Sequence, residues 1–287
     1  MSPFERRVSG MKSLVAAWVV MFAVGVGAQE PVKPEPAAAP DAGVTAASQW
    51  IGRALFLRCL CAENSLGFDA QGHVQGVVKK VDWTLAGVNL QKVLRKGPGE
   101  IELDGVRVAV RYATDRHEFD RHPQNDDKMR ILLADTGDTG AVERTLKAVF
   151  AVGIDRELQS SLPDYWQHYF NPLMAWPKDA LNGVPIEANI TPSATASVAV
   201  ATHKAEASYT AYASRDRVTG TVRVHLTIDV EGVPRRISII QPLGYGLDEM
   251  AVEAAAKYRF TAAIVRGVAV ASAVAMDQEF VVVQTPR

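Results

Sequence analysis

The sequence alternates most regularly in the stretch Gly220-Thr-Val-Arg-Val-His-Leu-Thr-Ile-Asp-Val-Glu-Gly232. Every second position from Val222 to Val230 is apolar, and the positions between them are polar. Because successive side chains of a β-strand point to opposite faces, this pattern predicts a strand with one buried face and one solvated face. Arg223 and His225 fall on the predicted solvated face, where we interpret them either as solvated side chains or as contacts to a partner.

The surrounding residues complete a small α+β unit. Leu247, Ala251, Ala254 and Tyr258 recur at steps of three and four residues, which is the spacing of one helix face. Asp248 lies in the first turn of this predicted helix, where a carboxylate favours the positive end of the helix dipole. The predicted order is a short helix around 209–217, a strand at 220–230, a second strand near 236–239, the helix at 247–258 and a third strand at 270–283.

The third strand is predicted to lie at an edge of the sheet. A tight turn pairs the first two strands antiparallel, and a right-handed crossover through the helix places the third strand beside the first. An edge strand offers unpaired N–H and C=O groups, so another chain can add a strand there by β-augmentation. The residues predicted to form this partner-binding edge are Ala271, Ala273, Ala275, Asp277, Glu279 and Val281.

The same region resembles the C-terminal domain of the TonB family. The stretch 220–232 is similar to the family core G-T-V-x-V-x-h-x-V-x-x-x-G, in which h is apolar, and the segment 242–248 resembles the entry to the family helix. The residues that match the family motifs are Gly220, Thr221, Val222, Gly232, Gly244, Leu247, Asp248, Ala251, Tyr258, Phe260 and Gly267. The chain departs from the family at Ala262 and at Val268, where a proline is usual.

This resemblance implies the order α-β-β-α-β and a role in binding. Its expected partner is an outer-membrane TonB-dependent receptor or another periplasmic protein, with no cofactor, no metal and no catalytic residue. Energy-transducing members also engage an inner-membrane proton-motive complex, for which they use a His in their apolar N-terminal segment. The apolar segment of this chain has no His.

The N-terminal residues resemble an export signal. Arg6, Arg7 and Lys12 precede an apolar stretch, and Val26-Gly-Ala28 offers small residues for cleavage before Gln29. Residues 1–28 are therefore interpreted as a signal peptide, with Met11 as an alternative start, or as an inner-membrane anchor formed by 13–28. A proline- and alanine-rich linker is predicted at 29–49. The protein is expected in the periplasm.

Residues 50–190 predict a β-rich domain with one or two helices, followed by a linker at 191–199 and the TonB-like domain at 200–287. The turn signal Asp104-Gly105 predicts a hairpin. A helix is predicted from Gly140 to Val152, with Asp138 or Thr139 as its N-cap. The aromatic residues between 158 and 176 are interpreted as packing residues. The region weakly resembles a β-rich domain that accompanies TonB-like domains in some soil bacteria.

No pattern in this middle region predicts enzymatic chemistry. The hydrophilic run 115–122 spaces two His residues by five positions, so we interpret it as a solvated loop rather than a metal site. Cys59 and Cys61 are interpreted as core cysteines, because an extended strand separates such residues by about the limit of a disulfide or more. A disulfide between them, an intermolecular pairing or half of a metal site are the alternatives. The net charge of −1 gives no support to nucleic-acid binding.

The sequence therefore predicts a periplasmic TonB-like protein that binds an extended receptor segment by β-augmentation and is not an enzyme. Coupling to inner-membrane energy is one interpretation of this function. The alternative is an exported interaction module without energy coupling.

We expect export to remove the signal, so that the mature chain begins at or near Gln29. Mass spectrometry of the mature N-terminus measures this directly. Recovery of the full-length chain in the inner-membrane fraction after carbonate extraction would contradict cleavage and favour the anchored, energy-coupled form.

Overall fold

The computed structural model describes residues 41–282. The predicted signal or anchor, and the linker up to residue 40, lie outside the described residues. The helices are α1 (Ala42–Ser48), α2 (Thr139–Val149), α3 (Arg156–Ser161), α4 (Asp164–Phe170), α5 (Ala211–Arg215) and α6 (Leu247–Lys257), with a 3-10 turn at Trp83–Leu85. The strands are β1 (Leu55–Leu57), β2 (Ser65–Phe68), β3 (Gly87–Gly97), β4 (Glu100–Ala113), β5 (Glu118–Ala134), β6 (Phe150–Val152), β7 (Ile186–Glu187), β8 (Ala196–Ser197), β9 (Val200–His203), β10 (Gly220–Ile228), β11 (Pro234–Gln241), β12 (Arg259–Thr261), β13 (Ala263–Val265) and β14 (Val268–Phe280).

Two sheets form the framework of this α+β fold, which confirms the predicted class. The β-rich region holds a six-stranded sheet in the order β2-β5-β4-β3-β1-β6. The C-terminal region holds the order β11-β10-β14-β13-β8, and β10 pairs antiparallel with both β11 and β14. The first of the three main C-terminal strands, β10, therefore lies between the second, β11, and the third, β14, as predicted. Helix α6 is in the predicted place in the chain, between β11 and β14.

The predicted hairpin at Asp104-Gly105 is wrong, because these residues lie inside the continuous strand β4. Gly105 is required there for a different reason. A Cβ at this position would lie 2.4 Å from the carbonyl oxygen of Asn89 on β3, so only glycine admits the neighbouring strand. The pairing of β3 with β4 shifts register beside this contact, between Leu90 and Lys92.

The predicted solvated loop at 115–122 is also only partly correct. His117 lies in a turn with φ 55°, but β5 begins at Glu118 and includes His122, which pairs with Ala109 of β4. Strand β4 is largely buried, so it requires a paired neighbour even where that neighbour is hydrophilic. Arg121 of β5 also donates to the carbonyl oxygen of Val88 on β3 at 2.9 Å, which links the two strands that flank β4.

Cys59 and Cys61 form a disulfide, whereas the sequence favoured free core cysteines. The expectation assumed an extended strand. Leu60 between them instead has φ 50°, which brings the two Cα atoms to 5.2 Å, within the usual range for a disulfide.

Both predicted linkers contain regular structure where they are described. The end of the first is helix α1, which Asp41 caps by accepting from the backbone N–H of Val44 at 3.0 Å. The second includes β8, which pairs with β13. In the β-rich region, α2 begins after Asp138, whose side chain accepts from Gly140 N–H and so confirms the predicted N-cap.

One hydrophobic core joins the β-rich and C-terminal regions. Trp83 and Trp166 from the first region pack in the same buried cluster as Leu226, Leu247 and Phe280 from the second. The two Trp rings meet edge to face with centroids 5.2 Å apart. Trp166 is fully buried, so its role in packing is as predicted.

Backbone contacts reinforce this shared core at one glycine. Tyr112 N–H donates to the carbonyl oxygen of Leu243 at 3.0 Å, and Tyr245 N–H donates to that of Val110 at 2.8 Å. Between them Gly244 has φ 91°, and a Cβ there would lie 2.1 Å from the carbonyl oxygen of Val110. The segment 243–245 therefore lies directly against β4, at a distance that only glycine permits.

We expect Gly244→Ala to destabilise the whole protein. The matched control is Gly267→Ala, because Gly267 also has positive φ, 79°, but no other atom lies within 4 Å of the position that a Cβ would take there. Left-handed backbone at alanine costs about 1–2 kcal/mol in both variants, and the clash with β4 adds about 1–3 kcal/mol to Gly244→Ala alone.

Urea unfolding followed by circular dichroism and by Trp fluorescence measures both effects. The two probes should give coincident transitions, since the regions share one core. Equal destabilisation by the two substitutions would contradict the close contact between Gly244 and β4.

Candidate docking edge

Strand β14 pairs with β10 from Ser272 to its end, whereas β13 and β7 pair only with its first five residues. Along its inner side, the register with β10 runs from Ser272, opposite Ile228, to Phe280, opposite Gly220. Ser272 also pairs with Glu187 of the two-residue strand β7, so β7 lies on the outer side. Within residues 41–282, no strand pairs with the outer side of β14 from Ala273 to Phe280. We call these eight residues the open edge.

The predicted edge residues all lie on one face of the sheet, the face away from the shared core, which we call the second face, but they differ in burial. Ala275, Asp277 and Glu279 are exposed on the second face of the sheet, and Ala273 is half-buried there. Ala271 is buried next to β7, so it is not available as the sequence suggested. Val281 is exposed but follows the last residue of β14.

The opposite face of the open edge belongs to the shared core. Val274 and Met276 are half-buried and pack against it. Phe280 is fully buried and meets Tyr209 edge to face at 5.5 Å. Gln278 is buried and donates to the Tyr258 hydroxyl at 3.3 Å. These contacts hold the open edge in a fixed position.

Charge on the second face is concentrated at the end of the open edge. Arg223 of β10 donates to both carboxylate oxygens of Asp277, at 2.7 and 3.2 Å. Both side chains are largely exposed, so the pair contributes little to stability. It does offset the charge of Asp277, whereas Glu279 has no ion-pair partner among residues 41–282.

The second face of the sheet is partly covered by residues 171–187, which we call the crossing segment. It leaves α4, and Arg236 of β11 holds it through two hydrogen bonds to Asp179, at 2.7 and 2.6 Å. It ends in β7, which pairs with β14. The face predicted to be solvated is therefore covered over part of its width, and Thr227 and Ser238 on it are buried.

A cleft of about 350 Å³ lies between α4, the start of the crossing segment and the sheet. The rings of His168 and Trp176 stack at 3.5 Å on one side of it, and His225 lines the other. Burial lowers the pKa of His168 and of His225, which favours their neutral forms. His225 is thus half-buried rather than a solvated side chain.

The family-motif residues meet one another around α6 and the turns. A Cβ at Gly232, where φ is 78°, would lie 1.8 Å from the carbonyl oxygen of Phe260, and Phe260 N–H donates to Gly232 at 2.9 Å. Gly220 faces Leu243 in a similar close contact. Gly267 forms the turn between β13 and β14. Other motif residues are in the core or at its margin: Val222, Leu247 and Ala251 are buried, and Thr221, Tyr258 and Phe260 are half-buried.

Asp248 organises the beginning of α6. It is fully buried, and its carboxylate accepts from the backbone N–H groups of Leu243 and Gly244 at 2.8 and 2.7 Å. Burial, together with repulsion from buried Asp82, raises the pKa of Asp248 to about 7. Asp82 belongs to the β-rich region and accepts from the Trp166 indole N–H at 2.6 Å. Two carboxyl groups from different regions therefore lie within the shared core.

A family model matches the region that contains β10, β11, α6 and β14. Residues 205–282 match the family model described as Gram-negative bacterial TonB protein C-terminal. That part of the chain is a TonB C-terminal domain. The match confirms the resemblance predicted from the sequence, and we call residues 205–282 the TonB-like domain. No curated protein matches the chain.

The family gives the domain a general role. TonB C-terminal domains are protein-interaction domains without enzymatic activity, and they interact with outer-membrane receptors. The family also points to the envelope of a Gram-negative cell. Among the helices of residues 41–282, none has the length and apolar character needed to cross a membrane.

Sequence reasoning missed the crossing segment and its cleft. The aromatic stretch 158–176 showed that these residues pack, but no spacing in it indicates which surface they cover. The sequence also did not predict that β7 shortens the open edge, because Ile186 and Glu187 carry no strand pattern of their own.

We expect the contribution of Asp248 to the stability of the protein to fall as the pH rises from about 4 to about 7. The folded protein holds the Asp248 proton more tightly than the unfolded chain, whose Asp pKa is 3.8. The contribution of this proton is complete below the lower value and is lost as the pH passes the upper one, at about 1.4 kcal/mol per pH unit for each proton.

Urea unfolding at several pH values gives the slope of the unfolding free energy against pH. It is measured for the parent, for Asp248→Asn and for the exposed control Asp277→Asn. The slope should become shallower in Asp248→Asn only. An unchanged slope in Asp248→Asn would show that Asp248 is not the group responsible.

Proposed function

We propose that the TonB-like domain binds an extended segment of an outer-membrane receptor, or of another periplasmic protein, as an added strand on the open edge. The observation that carries this proposal is the difference between the two sides of β14. Its inner side is paired with β10 from Ser272 to Phe280, while its outer side is unpaired in the described chain from Ala273 onward. Unpaired backbone groups at an edge are the usual site of β-augmentation.

The side chains along the open edge favour this mode of binding. Ala273 and Ala275 are small, so a second backbone can approach to the 4.7–4.9 Å that separates paired strands. Val274, Met276 and Phe280 anchor the strand in the core. Because the edge is already extended and fixed, a partner loses its own conformational freedom on binding but the edge loses little.

Two observations support a periplasmic location. The N-terminal sequence has the organisation of an export signal. The disulfide between Cys59 and Cys61 suits an oxidising compartment, where such bonds persist.

The same docking would serve either an energy transducer or an exported interaction module. A retained anchor at 13–28 would connect the domain to the inner membrane and favour the first. The apolar segment lacks the His that energy-transducing relatives use, which favours the second. The mature N-terminus distinguishes the two.

Proline substitutions at Ala275 and Met276 test the docking edge. Successive N–H groups of a strand point to opposite sides, so one of these residues donates toward β10 and the other toward the open edge. Proline at the inward-facing residue removes a bond of the β10–β14 ladder and should destabilise the fold. Proline at the outward-facing residue should leave the domain folded but weaken binding of a receptor-derived peptide about two- to tenfold, the effect of one hydrogen bond.

Ala275→Ser and Met276→Leu are matched controls, because they keep both N–H groups. Circular dichroism identifies which proline variant remains folded, and fluorescence anisotropy measures its affinity for the peptide. If the folded proline variant binds as tightly as its control, the open edge of β14 is not the docking site.

A further inference from the structure

The open edge is short and has a fixed beginning. β7 occupies the outer side of β14 at Ala271 and Ser272, and the crossing segment that carries it is tied to β11 by the two hydrogen bonds between Arg236 and Asp179. Leu181 in the same segment is buried, which adds a second anchor. A docked strand therefore begins beyond β7 and contacts about eight residues, a length of about 27 Å at 3.3–3.4 Å per residue.

The two faces of the open edge differ in chemistry. On the core side, Val274 and Met276 are half-buried, so their outer flanks form an apolar margin. On the second face, Asp277 and Glu279 are exposed two positions apart. Side chains of an added strand lie beside those of β14 on the same face, at about 4.5–5.5 Å between Cβ atoms. A partner thus meets an apolar margin and an acidic margin at alternate residues.

Glu279 gives the acidic margin its net negative charge. The charge of Asp277 is offset by Arg223, which donates two hydrogen bonds to it. Glu279 faces Thr221 across the ladder, a residue without charge, and has no ion-pair partner within the described chain. The margin therefore carries about one uncompensated negative charge at the end of the edge farthest from β7.

We propose that the open edge selects a short extended segment in which basic side chains alternate with apolar ones, with a basic residue beside Glu279. The apolar side chains cover Val274 and Met276, and the basic ones face the acidic margin. This inference rests on the proposed function and adds the chemistry of the partner to it. Opposite charges on neighbouring strands attract and like charges repel, which turns a general docking edge into a selective one.

Two synthetic peptides test the selection on the full mature chain. Both have eight residues with valine at alternate positions, and the other positions are lysine in one peptide and glutamate in the other. Fluorescence anisotropy at low ionic strength should show that the lysine peptide binds about five- to tenfold more tightly. The preference should shrink at high ionic strength, because exposed charges are screened.

Glu279→Lys should abolish or reverse the preference. The matched control is Glu231→Lys, which makes the same change of charge in the exposed turn between β10 and β11, at the other end of the sheet. It should leave the preference for the lysine peptide in place. A preference that is the same in Glu279→Lys and in the parent would overturn the inference.

The proline variant that remains folded separates this inference from the docking proposal. If both peptides bind equally and both are weakened by that proline, docking stands and the charge selection fails. If the lysine peptide binds more tightly but is unaffected by both the proline and Glu279→Lys, the peptide binds elsewhere and both proposals fail for this edge. If neither peptide binds while the receptor-derived peptide does, the alternating pattern is insufficient and the inference is overturned.

Discussion

The contact between Gly244 and the backbone of β4 fixes the position of the turn before α6, and through it the positions of α6 and of the TonB-like sheet. Two hydrogen bonds, from Tyr112 to Leu243 and from Tyr245 to Val110, place the turn before α6 directly on the six-stranded sheet. The carboxylate of Asp248 accepts hydrogen bonds from two N–H groups of the same turn, so the start of α6 is fixed to the β-rich region. Because α6 packs on β10 and β11, the orientation of the TonB-like sheet follows from this one close approach.

A rigid sheet has consequences for binding by strand addition. The open edge does not have to fold when a partner arrives, since Phe280 and Gln278 already hold it in the core. Affinity then depends on the conformational freedom that the partner loses and on how well its side chains match the apolar and acidic margins of the edge. The β-rich region contributes to this match without supplying a docking strand, because its crossing segment determines where the edge begins.

The parts of the fold that could be predicted are those whose determinants are local. Alternation at 220–230, helical spacing at 247–258 and the handedness of the crossover give β10, α6, β14 and their order. The open edge of β14 follows from that order, and its role in docking stays a proposal. What could not be predicted depends on neighbours distant in sequence. Gly105 was interpreted as a turn residue, but glycine is needed there because the backbone of Asn89, on another strand, lies too close for a side chain. Gly244 matched a family motif, but nothing in the sequence indicated its contact with Val110.

A protein that keeps an open edge for a partner must also avoid pairing with its own copies. Unpaired edges associate unless charge, shortness or a covering segment prevents it. Here β7 covers the beginning of the outer side, and the remaining edge ends in Asp277 and Glu279. Two copies that paired through this edge would bring their acidic margins onto one face of a joint sheet, where like charges oppose association. In the proposed binding mode, the charge that disfavours a second copy would also favour a basic partner, so one feature of β14 would serve both purposes.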